Sequence, residues 1–277
     1  MSFLETFRNM LFKNKSGGEK ASSKAVVGIK ENYQWNDDYI SEKNFEIVLG
    51  EGLKEKVTLN FKDTPHLLIT GDTGTGKSVL ERCISWQIIN KGAKPYFVDL
   101  KGGIELDIFK NYGEIICERK RVSQLLEDVV KKQHENIEKF KALGAKNVDE
   151  HNLKVDENEK ITRTFLIIDE LEELIDTTGL SKEEKGRCMA IDNNLYILSR
   201  ISRITGINVV VGTQRLDLKS NFLKNISVKI QGRTFHGSKE AARLPNVCGR
   251  FLLFNKEKEV EFQAYNFKDE NVKNKIK

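Results

Sequence analysis

Residues 71–78 read GDTGTGKS, the spacing G-x-x-x-x-G-K-[ST]. An apolar run, His66-Leu67-Leu68-Ile69-Thr70, leads in as a buried strand, and residues 79–90 lead out at helical spacing. A glycine-rich turn between strand and helix lets successive backbone N–H groups converge on one anion without Cβ clashes. The helix N-terminus adds its partial positive charge. In such a loop Lys77 reaches the β- and γ-phosphates of a nucleotide, and the Ser78 hydroxyl ligates Mg²⁺. The residues expected to cradle phosphate are therefore Gly71, Asp72, Thr73, Gly74, Thr75, Gly76, Lys77, Ser78 and Val79. ATP and Mg²⁺ are the cofactors this chemistry implies.

Working outward, strand and helix alternate. Short strands are expected at 95–100, 114–117, 164–168, 208–211, 228–235, 251–254 and 260–265. Two more, 45–50 and 57–61, flank a turn at Gly50-Glu51-Gly52 upstream of the loop. A long charged helix covers 122–143 and stops at Gly144, which suits a left-handed cap. Ser181 with Glu184 forms a capping box that opens a helix to about Thr205, ended by Gly206. Residues 148–161 are polar and read as a surface loop. Nearly continuous apolar strands alternating with helices imply an α/β fold, a mostly parallel sheet covered by helices on both faces.

Phosphoryl transfer needs a metal-holding carboxylate and a group that orients water. Phe165-Leu166-Ile167-Ile168-Asp169-Glu170 supplies both at the end of one strand. Asp169 is the expected metal ligand beside Ser78, and Glu170 the residue that polarises the attacking water. Gln214 follows the next strand, where a side-chain amide is placed to sense the γ-phosphate.

The chain has 277 residues, with 46 Lys and Arg against 41 Asp and Glu, a net charge of +5 that permits an anionic partner without demanding one. Its four cysteines, Cys83, Cys117, Cys188 and Cys248, are scattered, which argues against a disulfide framework or a zinc site. No apolar stretch approaches a membrane span, and the N-terminus does not read as a secretory signal. Phe3, Leu4, Phe7, Met10 and Leu11 recur at helical spacing beside Arg8, Lys13 and Lys15, and SGGEKASSK at 16–24 reads as a linker. Residues 1–15 therefore suit a membrane surface, a protein partner or this same domain. The expected organisation is a tail and linker at 1–44, an ATPase domain at 45–267 and a charged tail at 268–277.

The chain resembles the motor domain of the FtsK/SpoIIIE family within the FtsK–HerA group. The likeness is carried by Pro65-His66-Leu67-Leu68-Ile69, by Asp99-Leu100-Lys101 with Gly102-Gly103, and by Phe140-Lys141-Ala142-Leu143-Gly144. It continues in Leu166 to Glu170, in Arg203-Ile204-Thr205-Gly206-Ile207-Asn208, in Thr213-Gln214-Arg215 and in Ser238 to Arg243. Leu216 and Lys229 stand where the family has Pro and Arg, and lysine lacks the bidentate fork of arginine. The resemblance implies a RecA-like P-loop NTPase that hydrolyses ATP to move double-stranded DNA. It also implies a ring of identical subunits, such as a hexamer, in the cytoplasm or at the inner face of the membrane. The role of a small motor module on a plasmid, phage or conjugative element fits. Arg203 and Arg243 match family arginines and are the candidates to act on a neighbour's transferring phosphate. Arg215, Lys219 and Lys224 lie in the loop after the Gln214 strand, which tends to face the pore, and are the candidate DNA contacts. The rival readings are a type VII-like protein-export motor and a non-motor ATP-dependent switch.

Overall fold

The computed structural model describes residues 28–215, 217–234, 239–256 and 258–273. The strands are β1 (Tyr33–Gln34), β2 (Glu46–Gly52), β3 (Lys56–Asn60), β4 (His66–Thr70), β5 (Lys94–Val98), β6 (Glu114–Ile116), β7 (Thr164–Ile168), β8 (Ile207–Thr213), β9 (Val228–Gly232), β10 (Arg250–Asn255) and β11 (Lys258–Asn266). The helices are α1 (Lys77–Asn90), α2 (Arg119–Leu143), α3 (Val148–Lys154), α4 (Leu171–Ile175), α5 (Lys182–Thr205), α6 (Asn221–Lys224), α7 (Lys239–Ala242) and α8 (Glu270–Lys273).

The sheet runs β3-β2-β11-β10-β9-β4-β8-β7-β5-β6, with β1 paired to the end of β11. From β9 to β6 every pairing is parallel. From β3 to β9 every pairing is antiparallel. β4, β7 and β8 are buried along their whole length, as a sheet covered on both faces requires. Leu67 and Ile69 of β4 face one core with Leu80, Ile84 and Ile88 of α1. Leu68, between them, faces the other with Leu125 and Val129 of α2 and Leu195 and Leu198 of α5. The alternation along one strand thus joins the two helical layers.

The helix stops are those the sequence marks. Gly144 and Gly206 cap α2 and α5 in the left-handed region, and the Ser181 side chain accepts from the Glu184 N–H. Other expectations shift. Residues 148–161, expected as a loop, open with α3, whose N-cap Asn147 accepts from the Glu150 N–H at 2.9 Å. Val148 and His151 of this helix are buried, and two inward residues in seven leave little periodicity to read. Gly50 to Gly52, expected as a turn, lie within β2, which pairs with β3 through a bulge between Val48 and Gly50. There the buried amide of Gln87 on α1 docks onto the strand, accepting from the Val48 N–H at 2.8 Å and donating to its carbonyl at 2.9 Å. One side chain so does the work of a neighbouring strand.

Residues 28–44, read as the end of the tail, pack on the domain. β1 pairs with Tyr265 and Asn266, and the buried Trp35 meets Tyr265 edge-on. The indoles of Trp35 and Trp86 both donate to Asp37, at 2.8 and 2.9 Å. In the stretch read as the charged C-terminal tail, α8 buries Val272, and Asp269 pairs with Arg82 at 2.9 Å. The amphipathic stretch 1–15, Leu216 and Ser238 lie outside the described residues. Among the described residues no helix is long and apolar enough to cross a membrane.

Candidate nucleotide-binding site

The loop after β4 sits at the C-terminal edge of the parallel strands, where open α/β sheets place their ligands. Its shape is fixed by short contacts. The Thr75 N–H and hydroxyl both donate to the Asp72 carbonyl, at 3.2 and 2.8 Å, and the Asp72 N–H donates to the Arg233 carbonyl at 3.3 Å. Gly249 donates its N–H to the Thr75 carbonyl at 2.8 Å, so the loop before β10 braces the phosphate loop. Gly76 begins α1 at φ +93°, and a Cβ there would stand 3.0 Å from the Gly249 nitrogen. Only glycine satisfies both constraints. No side chain caps α1, and its first residues, Lys77, Ser78 and Val79, line the cleft, an arrangement suited to an anion.

That cleft has a volume of about 620 Å³. Its walls bring together Asp72, Thr73, Gly74, Gly76, Lys77, Ser78 and Val79 with Asp169, Glu170 and Gln214, residues gathered from three separate strand ends. Lys77 is 7 % exposed. Glu170 is the hub. Lys101 makes an ion pair with it. Gln214 donates Nε2 to Glu170 Oε1 at 2.7 Å while its own Oε1 accepts from the Thr73 hydroxyl at 3.1 Å. Burial pushes the Glu170 carboxyl up, but the hydrogen bonds from Lys101 and Gln214 and the charge of Lys77 outweigh it and hold it below the usual range. Asp169 goes the other way, raised by burial and by the carboxylates of Asp99 and Glu170.

Four residues that line the cleft, Arg82, Lys101, Glu105 and Cys248, were not among the expected site residues. Lys101 is held by its N–H donating to Asp99 Oδ1 at 2.8 Å. Its signal was legible, as Asp99-Leu100-Lys101 closes a strand. Glu105 and Cys248 also line the cleft. Glu81, one turn into α1, is 2 % exposed and lies beside Asp169, with Oε1 unpartnered. Burial pushes its carboxyl well above the usual range. Nothing in the sequence marks it, because an acidic residue on a helix usually faces water.

The donor set fits a magnesium ion. Ser78 and Asp169 line one cleft with Lys77, and the carboxylates of Asp99, Glu170 and Glu81 crowd Asp169. Among the described residues no cluster of three or more His, Cys, Asp or Glu side chains could hold a metal alone. Magnesium at phosphate sites takes one or two protein oxygens and fills its shell with phosphate and water.

The remaining expected residues lie elsewhere. Arg203 lies in the last turn of α5, on the opposite edge of the sheet from Gln214, with the seven residues of β8, about 23 Å at strand rise, between the two edges. It is exposed and meets Asp63 at 3.9 Å. Arg243 is exposed, just after α7. Neither lines the cleft of its own chain. Arg215 is committed to acids, meeting Asp176 Oδ2 at 2.9 Å and Asp217 Oδ1 at 3.1 Å. Lys219 and Lys224 are exposed, and Lys224 donates to Asn221 at 3.0 Å.

The FtsK/SpoIIIE family model matches residues 29–227. The chain belongs to the FtsK/SpoIIIE family. Among curated relatives, DNA translocase FtsK of Lactococcus lactis subsp. cremoris is 29 % identical over 216 residues, covering 72 % of this chain and 28 % of that protein. DNA translocase FtsK of Staphylococcus aureus strain Mu50 is 25 % identical over 248 residues, covering 79 % and 30 %. The chain thus spans less than a third of the length of these FtsK relatives. A solved structure of the pCW3 conjugation coupling protein TcpA, a monomer form with ATPγS, matches with a TM-score of 0.84 at 34 % identity. That match covers 88 % of this chain and 72 % of TcpA. EssC of Geobacillus thermodenitrificans, ATPases 2 and 3, has a TM-score of 0.72 at 14 % identity, covering 90 % and 50 %, a likeness of fold alone. The fold is therefore that of the family's P-loop ATPases.

Proposed function

We propose that this FtsK/SpoIIIE module hydrolyses ATP and couples hydrolysis to movement along double-stranded DNA, as a ring of identical subunits. The single observation that carries the reading is the bridge from Thr73 through Gln214 to Glu170, which joins the phosphate loop to the carboxylate at the next strand end. FtsK relatives and the conjugation coupling protein TcpA favour DNA as the partner.

In this reading Lys77 and the α1 N-terminus hold the phosphates, while Ser78 and Asp169 would hold Mg²⁺. When bound, the ion neutralises charge developing on the transferring phosphoryl group. Glu170 takes a hydrogen bond from the attacking water and draws its proton. At rest Lys101 and Gln214 hold one oxygen of this carboxylate each, which leaves acceptor positions for the water. Gln214 keeps the carboxylate aimed. Because Arg215 directly follows, a change at Gln214 reaches the loop holding Lys219 and Lys224. Arg203 and Arg243, away from their own cleft, are placed to act on a neighbour's phosphate. The likeness to TcpA, a conjugation coupling protein, supports a role in plasmid or conjugative transfer.

The test is an ATPase assay with no DNA, duplex and single strands across a salt series. Stimulation by duplex that weakens with salt supports the reading. Turnover indifferent to every DNA would leave an ATPase without this partner, and nucleotide binding without turnover would make it a switch.

A further inference from the structure

β8 outruns its ladder. Its last paired residues are Val211 beside Ile168 on one side and Thr213 beside Thr70 on the other, so Gln214 lies past both neighbouring strands. A backbone N–H in that position needs a partner from elsewhere. Glu172 supplies it: the Gln214 N–H donates to Glu172 Oε1 at 2.9 Å.

Glu172 is carried on a fixed element. α4 directly follows Glu170, and its buried Leu171 and Leu174 join the core that also holds Leu195 and Val211. Glu173, the next residue, is exposed, whereas Glu172 turns towards the tip of β8. Asp176, whose N–H donates to the Glu172 carbonyl at the end of α4, pairs with Arg215 at 2.9 Å. α4 so grips residue 214 by its backbone and residue 215 by its side chain. Glu172 Oε2 is buried and has no hydrogen-bond partner among the described residues. A buried carboxylate oxygen left unpaired is rare in folded proteins and calls for a role that keeps the side chain there.

That role is aim. The Gln214 amide makes two bonds in opposite senses, donating to Glu170 at 2.7 Å and accepting from Thr73 at 3.1 Å. The direction in which a side chain leaves the backbone, and the rotamers open to it, follow from the backbone angles of its own residue. We propose that Glu172 is a positioning residue of the ATPase site: by holding the Gln214 N–H it fixes the strand tip from which the Gln214 amide reaches Glu170 and Thr73. The proposal rests on the hydrolytic reading of the cleft. It asks of residue 172 an acceptor oxygen at the right reach, and not a charge.

Steady-state ATPase kinetics of the full chain without DNA, beside ATP affinity by calorimetry, test it. The variants are Glu172→Ala, Glu172→Asp, Glu172→Gln, Gln214→Ala and the double variant Glu172→Ala/Gln214→Ala. Glu172→Ala is expected to lower kcat by about fivefold or more and to leave KM for ATP within about twofold, because the misplaced group acts on the chemical step. Glu172→Asp keeps the charge but is one methylene short, and is expected to behave as Glu172→Ala. Glu172→Gln keeps the length and the acceptor, and is expected to recover most of the lost kcat. This contrast decides the matter even where the alanine variant folds poorly. In the Gln214→Ala background, adding Glu172→Ala is expected to change kcat by less than about twofold, since the group it aims is gone. Wild-type kcat in Glu172→Ala, a loss in Glu172→Gln equal to that in Glu172→Asp, or losses that multiply in the double variant each overturn the proposal. Wild type that binds ATP without turning it over would instead overturn the hydrolytic reading, and this inference with it.

Discussion

Gln214 donates its side-chain amide to Glu170 at 2.7 Å, tying the end of β8 to the end of β7. The two strands are neighbours in parallel register, with Ile168 beside Val211, so the side chains meet because the backbone brings both tips level. The same amide reaches Thr73 on the third tip. A residue that touches the phosphate loop and the Glu170 carboxylate at once is placed to tell one about the other.

Glu170→Gln should keep ATP affinity and lower turnover by about a hundredfold or more, since water activation acts in the transition state and phosphate contacts act throughout. Lys77→Ala should instead abolish binding. Calorimetry beside a phosphate-release assay separates the two, and a Glu170→Gln protein with near wild-type turnover would refute the roles.

Lys219→Ala/Lys224→Ala should weaken duplex binding at all sequences alike. It should also reduce the slope of log affinity against log salt by about 2 if each lysine neutralises one phosphate. DNA-free ATPase should stay within about twofold. An unchanged slope removes both residues from the interface.

Gly212→Ala probes the ground beneath Asp169. A Cβ at Gly212 would stand 2.1 Å from the Asp169 carbonyl and 2.3 Å from Glu81 Oε1, so backbone or carboxyl must move. A loss of about 1–3 kcal/mol is expected, read by urea unfolding, together with weaker dependence of nucleotide binding on Mg²⁺. A variant as stable as wild type would show that the strand end yields freely.

His66 sets a pH limit on the fold. Burial pushes its imidazole down to about 4, with the Ser199 backbone opposing. The folded protein therefore binds fewer protons than the unfolded chain between pH 4 and the ordinary histidine value of about 6.5. Stability is full above that value and falls as pH drops through the window, by at most about 3 kcal/mol from this residue. Urea unfolding at pH 7.5, 6 and 5 should show the loss in wild type and a smaller one in His66→Leu. Parallel pH profiles would exclude His66.

The legible parts of this molecule were those where local chemistry and global fold coincide. GDTGTGKS between strand and helix, the apolar run into Asp169-Glu170, and the glycine stops at 144 and 206 each state their structure within a few residues. What escaped depends on distant partners. α3 shows too few inward residues for a period, and Gly50 in β2 looks like a turn until its partner strand is seen. Glu81 reads as a solvated helix charge and is instead packed against Asp169. Residues 28–34 follow a linker-like stretch, and the groups that hold them, Arg250 and the end of β11, lie over 200 residues away.

The most direct measurement is steady-state ATP hydrolysis by Gln214→Ala with and without duplex DNA, set beside its ATP affinity. Losing one side chain that bridges Thr73 and Glu170 should leave ATP affinity within several-fold and abolish the stimulation by DNA expected of wild type. Stimulation equal to that of wild type would contradict the account, because the loop that meets DNA would then reach Glu170 without Gln214.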